Sequence, residues 1–170
     1  MVDIHKITLS EIDLHHGTIT MPKGFEIDND QLQKDLLNSI ITDSQYPFSR
    51  DWDKLNTYIR DHFGCIYNRT LINKITSGYC FKENECSMPE KDCNPVDLRN
   101  SPDYVMLYGI NVENSKVRIY YDDNRRAGRS WDIPLENNKF IIFPSSQLYF
   151  ISNSQKNKIN SILKITYDYT

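Results

Sequence analysis

Positive charge is densest in Asn124-Arg-Arg-Ala-Gly-Arg129. A guanidinium group holds a carboxylate or phosphate through two parallel hydrogen bonds. Arg125, Arg126 and Arg129, together with Arg118 on the preceding strand, are therefore candidates for an anionic ligand or an acidic partner. Tyr121-Asp122-Asp123 stands immediately before them, and pairing with those aspartates in a solvated turn is the competing role. The histidines are His5, His15, His16 and His62. His15 and His16 are adjacent, so on a strand they face opposite ways and cannot share one metal without a loop. His62 falls near the end of an amphipathic helical stretch, where an imidazolium suits the helix dipole. Cys65, Cys80, Cys86 and Cys93 lack the two-to-four-residue spacing of structural zinc sites. They read as reduced thiols, with a redox role open for the later ones. Ser145-Ser146 has no histidine near it in sequence, and no nucleophile elbow, glycine-rich phosphate loop or His-Glu-x-x-His pattern occurs. These residue patterns by themselves define no catalytic set and no metal site.

Lys and Arg total 20 against 23 Asp and Glu. This near balance argues against a dedicated nucleic-acid binder, which needs a basic surface. No stretch approaches the roughly 20 apolar residues of a membrane span, and the first residues carry no leader pattern. At 170 residues the expectation is a single domain, 1–170, long enough to bury a core.

The elements that must position these groups follow from periodicity. Loose alternation over 1–27 suggests one or two short strands. Leu32, Leu36, Leu37, Ile40 and Ile41 fall on one face of a helix over 30–41, opened by Asp28-Asn29. Trp52, Leu55, Ile59 and Phe63 predict a second helix capped by Ser49 and ended at Gly64. Strands are expected at 65–68, 71–75 and 78–82, then a long polar loop over 83–102 holding Pro89, Pro95 and Pro102. Loops of that length are often functional. From 103 the pattern is all strand: 104–110, 116–122, 131–135, 140–143, 148–151 and 161–169. On the last, Leu163, Ile165, Tyr167 and Tyr169 share one side, and Ile162, Lys164, Thr166 and Asp168 the other. Two helices (within 1–64) followed by about seven or eight short strands (65–170) predict a mainly β jelly roll with flanking helices.

Asp103-Tyr-Val-Met-Leu-Tyr-Gly-Ile110, Lys116–Asp122, Trp131-Asp-Ile-Pro-Leu135 and Phe140-Ile-Ile-Phe-Pro144 resemble the double-stranded β-helix of small iron/2-oxoglutarate oxygenases and their cupin relatives. The wording of Tyr121–Arg126 and Asn137–Ser145 is similar to such proteins of T4-like marine cyanophages. The resemblance covers roughly residues 75–169. It implies a ferrous centre of two histidines and one carboxylate, with an arginine or lysine for 2-oxoglutarate. The last histidine should follow Phe143-Pro-Ser145 by a few residues, where Gln147, Leu148 and Tyr149 stand. The first pair should precede 103–110, where Asp97-Leu-Arg99 stands. Lys158 and Lys164 are candidates for the cosubstrate cation. The resemblance thus implies the fold and carries no catalytic residue over.

Three expectations result. The chain is a non-catalytic binding, accessory or virion-associated module without a cofactor, acting on a protein or glycan partner in the host cytoplasm or virion. Its binding residues are Arg118, Arg125, Arg126, Arg129, Tyr149, Asp97 and Arg99, with homo-oligomerisation through a strand edge open. The alternative is a divergent Fe(II)/2-oxoglutarate oxygenase, its metal held by His15, His16 or His62 with Asp97.

Overall fold

The computed structural model describes residues 13–43, 50–121, 129–156 and 158–170. The elements run β1 (His15–Thr18), α1 (Asn29–Thr42), α2 (Arg50–Tyr67), β2 (Leu71–Phe81), a 3-10 turn (Leu98–Asn100), β3 (Tyr104–Asn111), β4 (Ser115–Tyr121), β5 (Arg129–Leu135), β6 (Lys139–Pro144), β7 (Leu148–Asn153) and β8 (Asn160–Tyr169). Two antiparallel sheets face each other. The larger has the order β1-β6-β3-β8-β2 and the smaller β5-β4-β7. This is the mainly β jelly roll with two helices that the strand pattern predicts.

Alternation along the strands makes two apolar layers. Ile142, Met106, Tyr108, Leu163, Ile165 and Tyr167 turn to the helix side, where Leu32, Leu36, Leu55, Ile59 and Phe63 cover them. Val105, Leu107, Ile141, Phe143 and Ile162 turn inward to meet Val117, Ile119, Ile133, Leu135, Tyr149 and Ile151 of the smaller sheet. Each fully buried aliphatic side chain contributes about 1.5–3 kcal/mol. Helix α1 lies close to the sheet because Gly78 has no side chain. A Cβ there would come 2.5 Å from the Ile162 carbonyl oxygen and 2.6 Å from Leu36 Cδ1.

Asp28 caps α1, its carboxylate accepting from the Gln31 amide at 3.1 Å. Ser49, expected to cap the second helix, and the expected strand residues before Asp13 lie outside the described residues. Gly64 does not end α2. The helix runs on to Tyr67, and Asn68 supplies the left-handed residue with φ 51°. Asparagine tolerates that conformation well, so the predicted strand at 65–68 is the last turn of the helix and the residue after it. The strands expected at 71–75 and 78–82 are one strand, broken only by an irregularity between Asn73 and Ile75.

The polar segment 82–103 is more ordered than its composition suggests. The Ser87 amide donates to the Ile151 carbonyl at 2.9 Å, and Glu90 and Tyr149 exchange both backbone bonds at 2.8 and 3.0 Å. The Cys93 amide donates to the Ser145 carbonyl at 3.0 Å. The segment therefore lies along the free side of β7 as an irregular fourth member of the smaller sheet.

Candidate functional site

The two sheets meet at two seams, and they are built differently. At the seam between β2 and the 87–93 segment, inward side chains converge. Tyr79 (β2), Tyr149 (β7) and Lys164 (β8) meet Glu90 and Asp92. The Tyr79 hydroxyl donates to Glu90 Oε2 at 2.6 Å. The Tyr149 hydroxyl lies 3.0 Å from Asp92 Oδ2 and 3.2 Å from Glu90 Oε2. Lys164 Nζ stands 2.6 Å from Asp92 Oδ1 and 3.2 Å from Glu90 Oε2, and its ammonium faces the rings of Tyr79 and Tyr149.

Burial decides what this cluster does. Tyr149 is fully buried and Lys164 only 9% exposed, so each charge needs its partners. One ammonium against two carboxylates leaves one negative charge, which the phenol hydroxyls solvate. Burial raises the Tyr149 phenol above its ordinary range, and the neighbouring Tyr79 and Asp92 push it the same way. Burial also raises Tyr79, helped by its bond to Glu90. Both phenols therefore keep their protons and stay hydrogen-bond donors.

The opposite seam, between β1 and β5, is open. It holds a cavity of about 730 Å³. Ile119, Ile133, Phe143 and Leu14 form an apolar floor, and Asp13, His16, Arg129 and Trp131 stand round the rim. Trp131 pairs in register with inward Ile119, so it faces the cleft, and it is half exposed there. Arg129 is two residues before it and shares its face. Phe143 joins the two seams: it lines the cavity and packs edge-on against Tyr149 at 5.0 Å.

The residues singled out from sequence are dispersed. Tyr149 lies in the polar cluster and Arg129 at the cavity rim. Arg118 is on the outer face of the smaller sheet, where it grips Asp132 at 2.5 and 2.7 Å. Arg125 and Arg126 lie outside the described residues. The structure does not bring Asp97 and Arg99 to Tyr149. Asp97 caps the 3-10 turn by accepting from Asn100, and Arg99 lies in that exposed turn. Glu90 and Asp92 face Tyr149 instead, because backbone pairing with β7 draws their segment inward.

His15 and His16 do face opposite ways. Their register partners Ile142 and Ile141 belong to the helix-side and inter-sheet layers respectively. His15, His16 and His62 border a second hollow of about 450 Å³ between β1 and α2. Asp97 is not among its walls, so the alternative ligand set does not assemble. His62 is stacked on Tyr58 at 3.9 Å and its Nδ1 lies 2.9 Å from the Tyr58 carbonyl. Among the described residues, no three His, Cys, Asp or Glu side chains converge to hold a metal. All four cysteines are free thiols, and no helix of the described residues is long and apolar enough to cross a membrane.

No family model matches the chain, and no curated protein matches it. Solved structures do. The Trichoplax adhaerens prolyl hydroxylase in complex with a hypoxia inducible factor peptide superposes with a TM-score of 0.62 at 10% identity, covering 91% of this chain and 83% of that one. A Pseudomonas putida prolyl-4-hydroxylase gives 0.61 at 8% identity over 91% and 87% of the two chains. The nogalamycin-biosynthesis epimerase SnoN, solved with Fe3+, alpha ketoglutarate and nogalamycin RO, gives 0.64 at 9% identity over 91% and 78%. The fold is that of the iron/2-oxoglutarate oxygenases.

These neighbours correct the expectation that the chain works without a cofactor. Non-heme alpha ketoglutarate dependence and bound iron are features of proteins with this architecture, so the fold lends that expectation no support. A ferrous centre takes two imidazoles and a carboxylate with open positions. Around Tyr149 the inward groups are instead two carboxylates, two phenols and an ammonium already in contact with both carboxylates. This donor set does not fit that centre.

Proposed function

We propose that the protein is a binding module on the oxygenase scaffold, holding a small organic ligand in the cleft between β1 and β5. The cavity carries this reading. At about 730 Å³ it has the size, the apolar lining and the few polar rim groups typical of small-molecule sites. The polar cluster at the other seam is internally satisfied. A partner was expected from sequence, and the concave form of the cleft favours a small molecule over a protein surface. A phage source and an accessory or virion-associated role belong to the same proposal and rest on the wording of the sequence.

The probe is the dye 1-anilinonaphthalene-8-sulfonate, titrated by fluorescence against the native protein. Saturable one-to-one binding is expected, weakened about tenfold or more by Trp131→Ala, since buried aromatic anchors dominate such contacts. Equal affinity in the variant would place the dye elsewhere and sink the reading.

The fold likeness favours one second reading, an oxygenase with an unusual donor set. Melting with manganese and 2-oxoglutarate separates the two. A ligand at 100 times its dissociation constant stabilises by about 2.7 kcal/mol. A rise that needs both additives and is lost in Asp92→Asn supports the oxygenase.

A further inference from the structure

The rim of the β1–β5 cleft carries opposite charges on opposite walls. Asp13 comes from the lead-in to β1, on the larger sheet, and Arg129 from the start of β5, on the smaller sheet. The cleft also touches Asp132, but the Arg118 guanidinium holds that carboxylate through two bonds on the outer face and neutralises it. Arg129 makes no ion pair with a described residue, and neither does Asp13. His16 faces the same cleft and is exposed, and its imidazole offers a further hydrogen bond there. Between the two charges lie Trp131 and the apolar floor of Ile119, Ile133 and Phe143.

We infer that the ligand of this cleft is a zwitterion with an aromatic body, in the manner of an aromatic α-amino acid or a larger relative. Its anionic group meets Arg129, which can grip a carboxylate by two bonds. Its cationic group meets Asp13. Its ring lies on Trp131 over the apolar floor, where offset or edge-on ring contacts add to burial. An anion alone would leave Asp13 facing a like charge, and a cation alone would set the same conflict at Arg129. The inference rests on the cleft being the binding site, as proposed above.

The test displaces the anilinonaphthalene dye from the native protein with L-tryptophan, tryptamine, indole-3-acetate and indole. Tryptophan is expected to compete at least about tenfold better than either singly charged analogue, because each charge-assisted contact contributes more than about 1.4 kcal/mol. Arg129→Gln should erase the advantage of tryptophan over tryptamine, and Asp13→Asn its advantage over indole-3-acetate. Neither residue is part of the core, so both variants should fold. Equal competition by all four indoles, no displacement by any, or unchanged ratios in the two variants overturns the zwitterion. If the dye itself proves independent of Trp131, the cleft reading has failed instead.

Discussion

At the scale of single residues, the decisive contrast is between Lys164 and Arg129. Lys164 is spent: its ammonium balances Glu90 and Asp92 inside the fold. Replacing it with methionine keeps much of the stem's packing and leaves two carboxylates close together without their cation. Removing one partner of a buried pair costs about 3–5 kcal/mol. Glu90 is 31% exposed at its side chain, so water recovers part of that. Lys164→Met should therefore destabilise by about 2–3 kcal/mol in urea unfolding, and Glu90→Gln in the same chain should restore part of the loss. His15 gives a second residue-scale expectation. Burial lowers its imidazole below the ordinary value of 6.5, and the Asp13 carboxylate opposes that shift. The unfolded chain then binds the proton more readily than the folded one. The sign follows: stability is complete above about pH 6.5 and falls as the pH drops through that value toward the folded one. Melting followed from about pH 7.5 to 5 should show that fall, and His15→Gln should flatten its upper part.

At the scale of elements, what was legible was alternation and what was hidden was pairing. The two faces of β8 read directly from Leu163, Ile165 and Tyr167 against Ile162, Lys164 and Thr166, because a strand imposes period two on its own side chains. The helix over 30–41 was likewise visible in its apolar spacing and its Asp28 cap. Segment 87–93 was not. Met88-Pro-Glu-Lys-Asp-Cys93 has no strand pattern, and it straightens only because β7 presents unpaired backbone groups beside it. Glu90 and Asp92 therefore carry no sequence signal of their inward position, and the family resemblance points instead to Asp97 and Arg99, a few residues further along the same loop. Tyr149 is legible because Phe143-Pro-Ser145 fixes the turn before it. Gly78 is legible only once α1 is in place. Gly78→Ala should destabilise by about 1–3 kcal/mol, the usual cost of forced overpacking, since a Cβ would strike the Ile162 carbonyl and Leu36. Coupling supplies the check: trimming Leu36 to Ala in the same chain should make the Gly78 change cost less than it does alone. Strict additivity would mean that the helix does not rest on that glycine.

At the scale of the whole molecule, one sandwich has a sealed seam and an open one, and the two should differ in dynamics. On the sealed side, three inward side chains and two carboxylates tie β2, β7 and β8 to the 87–93 segment, and paired amides run from Ser87 to Cys93. On the open side, β1 is four residues long and, among the described residues, pairs with β6 alone, while β5 pairs with β4 alone. Edges held by one ladder open locally at lower free energy than strands flanked on both sides. Amide hydrogen exchange should therefore show Glu90 and Tyr149 protected together with β3 and β8, despite the loop-like sequence around Glu90. Amides of β1 and β5 should exchange at least about tenfold faster. Filling the cleft with the anilinonaphthalene dye should slow exchange in β1, β5 and the β6 end at Phe143-Pro144, and leave Glu90 unchanged. Slowing centred on Glu90 and Lys164 would place the ligand at the sealed seam. The polar cluster would then be a binding site rather than the clasp that closes the barrel.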